Sequence, residues 1–335
     1  MGKEKVIIFL LILLLTLIAS FRGNTFDTAN YVDVFHNIDI DEDMQYLWDN
    51  YSMEYLFLLL TFFLRKVTAD TVWLYFFTIT FLSLSLIYYS AKNFNLSPIN
   101  TLLIFGGGYY WLLFMSQMRL GLALSIAYFA TSLIINKKYK IYLPLLLLFI
   151  SCLIHYSIFI YCFILLFYLL SERIWSKPYR LLIFFILLFF SYNIIIGVLY
   201  QINLWKIQYY LNTPDFYVKL DLLRYTNLKY IVLTFIAIFT LYKYQNKLSQ
   251  FFCFFMILNL GIRLGYNDIA IISGRVASLF SSLEIFFIPY FLARVNLRKK
   301  FATFICVLLF ILSSLFTIFV SQSYISELYF TKELS

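Results

Sequence analysis

The segment Ser116-Gln117-Met118-Arg119-Leu120-Gly121-Leu122-Ala123 places one arginine between two apolar runs. Ile99 to Met115 precedes it and Leu120 to Ile135 follows it, and each run approaches the roughly 20 residues that a helix needs to cross a bilayer. Two membrane-spanning helices joined with almost no loop are therefore predicted. A guanidinium keeps its charge and is costly in hydrocarbon, so Arg119 requires an anionic partner or a wet cavity.

The composition extends this prediction to the whole chain. Of the 335 residues, 63% are hydrophobic and only 13% are charged, and the mean hydropathy is +0.84. These values lie far outside the range of soluble domains and predict an all-α, polytopic integral membrane bundle. The net charge of +9 is explained by lysines and arginines that flank membrane spans, so it gives no reason to expect nucleic acid as a partner.

About eleven apolar segments are long enough to cross, or nearly cross, a bilayer. They are Val6 to Phe21, Val72 to Ser90, Ile99 to Met115, Leu120 to Ile135, Ile141 to Leu153, Tyr156 to Leu170, Arg180 to Tyr200, Leu228 to Tyr244, Phe251 to Leu264, Val276 to Leu292 and Phe301 to Val320. Tyr51 to Leu64 is shorter and precedes Arg65 and Lys66, so we expect a re-entrant or interfacial helix there. We expect residues 1–335 to form a single transmembrane domain, and we expect Gly106-Gly107-Gly108 to mark a kink or a close helix contact.

The distribution of basic residues predicts the orientation. The clusters Lys137-Lys138-Lys140 and Arg298-Lys299-Lys300 fall on the cytoplasmic side together when the N-terminus is cytoplasmic. If Tyr51 to Leu64 crossed the membrane completely, every later loop would invert and both clusters would face outward. We therefore expect a multi-pass protein with a cytoplasmic N-terminus.

The basic residues at the predicted outer membrane boundary are mostly arginines, whereas those assigned to the inner side are mostly lysines. Because a planar guanidinium binds two phosphate oxygens at once, the outer side is suited to phosphate. Any arginine at a helix end has the alternative of only extending its charge to the membrane surface. The outer set is Arg22, Arg65, Lys66, Arg119, Arg224, Arg263 and Arg275, together with His155. His155 either packs or exchanges a proton.

Two further outer segments leave alternatives open. Asp39 and Asp41 are a possible pair of ligands for a divalent ion, or they belong to a solvated acidic loop. The loop Gln201 to Asn227 is rich in aromatic residues that either stack on sugars or lie along the membrane interface. The four cysteines have no metal-ligand spacing, and we expect neither a metal nor a cofactor.

Four short stretches carry a resemblance to a known family. They are Arg22-Gly23-Asn24-Thr25-Phe26-Asp27-Thr28-Ala29-Asn30-Tyr31, Met118-Arg119-Leu120-Gly121-Leu122-Ala123, His155-Tyr156-Ser157 and Gly274-Arg275. Through them the chain resembles EpsG-like and Wzy-type polysaccharide (O-antigen) polymerases of the bacterial inner membrane.

The resemblance implies a membrane glycosyltransferase similar to the GT-C type that acts on the periplasmic side. A growing glycan on undecaprenyl diphosphate would be transferred to a hydroxyl of a lipid-linked repeat unit, and a chain-length regulator is a possible further partner. Arg119 and Arg275 would contact the diphosphate, and His155 or Asp27 would take or orient the proton of the acceptor hydroxyl. The expected substrate-binding residues are Arg22, Tyr31, Arg224, Tyr225 and Arg263.

Three other functions remain open from the sequence. The first is a ligase or another membrane glycosyltransferase that handles the same lipid carrier, with metal at Asp39 and Asp41. The second is a flippase that moves the lipid-linked unit without bond chemistry. The third is a structural membrane partner.

Overall fold

A computed structural model describes residues 2–23, 25, 27–38, 53–137, 139–191, 222, 224–267, 272–295 and 297–320. Every regular element in these ranges is helical, which confirms the predicted all-α class. The helices are α1 (Lys3–Ser20), α2 (Thr28–Asn37), α3 (Tyr55–Val67), α4 (Val72–Asn93), α5 (Pro98–Gly107), α6 (Tyr109–Met115), α7 (Met118–Ile135), α8 (Tyr142–Ile154), α9 (Ile158–Leu170), α10 (Pro178–Phe190), α11 (Tyr225–Tyr244), α12 (Lys247–Gly265), α13 (Ala277–Ser281), α14 (Glu284–Arg294) and α15 (Lys299–Val320). A 3₁₀ turn covers Ile174–Ser176 and a π-helical turn covers Ile272–Val276.

Five of these helices, α4, α7, α11, α12 and α15, are long and apolar enough to cross a membrane, or six if the bent segment through α13 and α14 is one span. Helices α5, α8, α9 and α10 are apolar but shorter. The chain is therefore a membrane protein, and the count of about eleven spans stays a prediction. Helix α3 has 13 residues, about 20 Å of length, which suits the re-entrant or interfacial helix expected there.

The described residues group into two compact units, and the first contains residues 1–158 and 288–335. Its central helix is α7, which packs against α4 and α8 and whose apolar stretch is 89% buried. Helix α15 packs against α5, yet only 11% of its apolar stretch is buried. An apolar helix that stays this exposed is suited to contact with lipid.

The glycine run in the first unit produces both of the features expected of it. The predicted span Ile99 to Met115 is broken at Gly108, where α5 ends and α6 begins. A Cβ added to Gly107 would lie 2.8 Å from the Cα of Phe310 in α15. Only glycine permits this approach of the two helices.

The second unit contains residues 159–287. Helix α12 is its core, because it packs against α10, α11 and α13 and its apolar stretch is 78% buried. Asn246 caps α12 through a reciprocal capping box with Ser249. The ring of Phe254 in α12 lies 5.0 Å from that of Trp175 and 5.3 Å from that of Phe184. The expectation of a single domain over residues 1–335 stays a prediction.

Candidate active site

A break between two helices positions Arg119. Helix α6 ends at Met115 and α7 begins at Met118, so Arg119 lies in the first turn of α7 and the two apolar runs are joined with almost no loop, as predicted. A Cβ added to Gly121 would lie 2.7 Å from the carbonyl oxygen of Leu113. Glycine therefore lets the end of α6 close against the first turn of α7.

The anionic partner that Arg119 requires is Glu54. Arg119 Nη1 lies 2.6 Å from Glu54 Oε2, and the two side chains are 21% and 11% exposed. Glu54 directly precedes α3, and the Arg119 guanidinium also lies 6.0 Å from the centroid of the Phe57 ring in that helix. A charged pair this far out of water persists because either partner alone would be a buried, uncompensated charge.

Glu54 also brings His155 to Arg119. His155 ends α8 in an extended conformation, and the backbone N–H of the next residue, Tyr156, donates to Glu54 Oε1 at 3.3 Å. His155 Nδ1 lies 3.9 Å from the same carboxylate oxygen. Arg119 and His155, which the sequence proposed as catalytic residues, therefore lie near the same carboxylate, with Arg119 paired to it and His155 beside it without a hydrogen bond.

The contacts of His155 indicate its tautomer. The backbone N–H of Ser157 donates to His155 Nδ1 at 3.3 Å, and the Ser157 hydroxyl lies 2.8 Å from the same nitrogen. A backbone N–H can only donate, so Nδ1 acts as an acceptor and the proton of the neutral ring is on Nε2. This geometry suits a His155 that orients a substrate oxygen more than one that removes a proton.

The tautomer can be measured because the chain has only two histidines. We expect ¹⁵N NMR of histidine-labelled protein to show His155 protonated at Nε2 and unprotonated at Nδ1. The variant His36→Gln assigns the signals, since His36 is exposed. A His155 with its proton on Nδ1 would contradict the orienting role.

Arg22 is buried beside the break between α6 and α7 and contacts both helices. It is 0% exposed, its Nη1 donates to the carbonyl of Phe114, and its Nη2 lies 3.4 Å from Met118 Sδ. Its guanidinium lies 3.7 Å from the centroid of the Phe76 ring. Burial lowers the pKa of Arg22 to about 10, so it remains charged at neutral pH and stabilises the carbonyl end of α6.

These contacts give Arg22 a place at the helix break, and its expected substrate-binding role stays a prediction. Thr25, from the same loop, makes the equivalent contact one residue later by donating its hydroxyl to the carbonyl of Met115. The first outer loop acts on Arg119 by fixing the helix that carries it.

Tyr31 and Asp27 lie beside the same break. Tyr31 is 2% exposed, and its hydroxyl accepts the backbone N–H of Arg119 at 3.5 Å, so it supports the start of α7, and its expected contact with substrate stays a prediction. Burial raises the pKa of the Tyr31 hydroxyl, which keeps it neutral. Asp27 directly precedes α2 and is close enough for its charge to act on Arg22 and Tyr31, which leaves it a candidate base.

The second unit holds its own group of arginines. Arg224 Nη2 donates to the Ser273 hydroxyl at 3.4 Å, and burial and then the charge of Arg263 lower the pKa of Arg224. Arg263 is 8% exposed, contacts Asn259 Oδ1 at 3.1 Å and lies 4.5 Å from the centroid of the Tyr230 ring. Two neighbouring guanidinium groups without a carboxylate partner among the described residues favour an anion.

The remaining predicted residues of this unit are at its surface. Arg275 is exposed in the π-helical turn, and the Tyr225 side chain is 58% exposed at the start of α11. Both are accessible to a substrate. Asp39, Asp41 and most of the aromatic loop Gln201 to Asn227 lie outside the described residues.

Glu54 is the residue that sequence reasoning missed. A signal was present, because Glu54 stands alone at the start of an apolar helix on the same predicted side as Arg119. An isolated carboxylate at such a position needs a cation. In the sequence, however, Glu54 follows the acidic run Asp39 to Asp43 closely and resembles one more solvated acidic residue.

Comparison with known proteins gives one finding. No curated protein and no solved structure matches this chain. The model of the EpsG family, however, matches residues 5–331, which is nearly the whole chain and includes all of the arginines described above. The chain therefore belongs to the EpsG family.

Proposed function

We propose that this protein is a polysaccharide polymerase that transfers a growing glycan from undecaprenyl diphosphate to a lipid-linked repeat unit. The EpsG family assignment supports a membrane polymerase of this general kind. The observation that carries the specific proposal is the closeness of Arg119 and His155 to one carboxylate, since Arg119 Nη1 lies 2.6 Å from Glu54 Oε2 and His155 Nδ1 lies 3.9 Å from Glu54 Oε1. An arginine beside an imidazole ring that carries a proton is suited to a reaction in which a diphosphate leaves as an anion.

The proposed reaction is a displacement at the anomeric carbon of the donor. The acceptor hydroxyl forms a bond to that carbon, the bond between the carbon and the diphosphate oxygen breaks, and undecaprenyl diphosphate leaves as an anion. Arg119 stabilises the negative charge that develops on the leaving oxygen. We assign the proton of the acceptor hydroxyl to the Asp27 carboxylate, and we assign to His155 Nε2–H the orientation of a substrate oxygen.

The arginines of the second unit are proposed to bind phosphate as well. Arg224 and Arg263 repel each other, which an anion between them would relieve. Arg275 and Tyr225 are exposed and are proposed to contact the diphosphate and the glycan. No step of the proposed chemistry is assigned to a metal or a cofactor.

The proposed setting is the inner membrane of a bacterium, with a cytoplasmic N-terminus and an active site that faces the periplasm. Lysine-rich clusters on the inner side support this orientation. The proposed partners are the lipid-linked oligosaccharide, the surrounding lipid and a chain-length regulator. An O-antigen or a related surface polysaccharide is the proposed product.

Deletion of the gene tests this function against its alternatives. We expect the mutant to lose the ladder of chain lengths and to keep glycan of a single repeat unit. A ligase would instead leave no glycan attached to its final acceptor, and a flippase would leave repeat units on the cytoplasmic face. An unchanged ladder would refute the proposal.

A further inference from the structure

The two oxygens of Glu54 serve two different parts of the first unit. Oε2 pairs with Arg119 in α7 at 2.6 Å, whereas Oε1 accepts the backbone N–H of Tyr156, in the turn after α8, at 3.3 Å. The carboxylate itself is attached to the start of α3. One side chain therefore joins three helix ends at the point where the proposed chemistry occurs.

The charge of Glu54 is needed for this arrangement. A guanidinium and a backbone N–H are both pure donors, so only a group with two acceptor oxygens can bind one on each side. Glutamine has the same length but offers one acceptor and one donor, and the donor would face either Arg119 or Tyr156. Aspartate keeps both acceptors but is shorter by one methylene and cannot reach both partners.

We infer that Glu54 is a positioning residue that fixes Arg119 and His155 relative to each other for the reaction. This inference rests on the proposed polymerase function, in which both residues act on one substrate. Glu54 does not contact the reacting atoms, because its oxygens are already bound to Arg119 and to the turn that carries His155. Its contribution is the geometry of the two groups that do, and small displacements of such groups are known to slow reactions about 100-fold.

The kinetic test compares Glu54→Gln with wild type in a polymerisation assay on purified protein. We expect kcat to fall at least tenfold and KM for the lipid-linked repeat to change less than threefold, since the cationic side chains proposed to bind the substrate are unchanged in this variant. Glu172→Gln is the matched control, because it removes the carboxylate of another ion pair, with Lys247 at 2.9 Å, and we expect it to leave kcat unchanged. A Glu54→Gln kcat within threefold of wild type would overturn the inference.

The double variant Glu54→Gln, His155→Gln separates positioning from general damage. If Glu54 acts in part through His155, the loss of kcat in the double variant will be smaller than the product of the two single losses. Effects that multiply would overturn the inference. If Glu54→Gln does not fold, Glu54→Asp is the deciding variant, because it keeps the charge but is too short to reach both partners. A Glu54→Asp kcat equal to that of wild type would overturn the inference, since the carboxylate would then be needed only for folding.

A second readout does not depend on polymerase activity. The ¹⁵N signals of His155 should move in Glu54→Gln and stay unchanged in Glu172→Gln, since Glu54 contacts the His155 turn and Glu172 pairs with Lys247. Wild-type protein that makes no polymer would defeat the proposed function but leave this measurement valid. Signals of His155 that are identical in wild type and Glu54→Gln would defeat the positioning role itself.

Discussion

Replacing Arg119 by alanine is expected to slow glycan elongation about 100- to 1000-fold, because a preplaced cation that stabilises a leaving anion contributes this much to a rate. The loss should appear in kcat more than in KM, since the charge on the leaving oxygen develops only as the bond breaks. Removal of the guanidinium also leaves Glu54 without its cation. Elongation of a lipid-linked repeat by purified protein measures the effect.

Arg65 supplies the matched control for this variant. It pairs with Asp70 at 2.5 Å, as Arg119 pairs with Glu54, but the side chains of Arg65 and Asp70 are 30% and 64% exposed. Exposed pairs contribute little to stability. Although Arg65 belongs to the outer basic set, its guanidinium contacts Asp70 and the carbonyl of Ile38, and the proposed reaction assigns it no step. We expect Arg65→Ala to elongate glycan normally, and an Arg119→Ala variant as active as Arg65→Ala would show that Arg119 does not contact the leaving group.

Replacing Arg22 by alanine is expected to destabilise the protein by roughly 3 kcal/mol, because the buried carbonyl of Phe114 loses its donor and a cavity opens beside Phe76. The thermal midpoint in detergent should fall by several degrees, and the fraction of monodisperse protein should fall with it. Elongation should also decline, since the start of α7 that carries Arg119 is no longer braced.

Arg173→Ala is the control for the loss of an arginine as such. Arg173 is exposed between α9 and α10, so its removal should change the thermal midpoint by little, in keeping with the ±0.5 kcal/mol typical of surface substitutions. If Arg22→Ala melted at the same temperature as Arg173→Ala and lost only activity, Arg22 would be a substrate contact as the sequence first suggested.

The long apolar helices of this chain were predictable because apolar runs of nearly bilayer length leave few alternatives, whereas α2 lies in a stretch that the sequence had placed in an outer loop. Arg119 was predictable for a similar reason, since a permanent charge between two such runs requires a partner. The identity of that partner was not predictable. Glu54 lies 65 residues earlier in the chain, and only the packing of α3 beside α8 brings it to Arg119.

The role of Arg22 shows a different limit of sequence reasoning. An arginine directly after a membrane span resembles one that extends its charge to the interface, and nothing in its neighbours indicates that it turns inward. Its actual partner, the carbonyl end of α6, exists only because α6 is seven residues long. The bracing contact is thus a consequence of tertiary structure.

The role of Arg119 in polymerisation is tested most directly by reconstituting the purified protein with a lipid-linked repeat unit, beside Arg119→Ala and with and without a chelator. We expect wild type to form products longer than one unit in both conditions and Arg119→Ala to form almost none. Loss of the long products with chelator would point to a metal, which has no part in the proposed reaction. The absence of long products from wild type, or equal ladders from wild type and Arg119→Ala, would refute the proposed polymerase and the role of Arg119 in it.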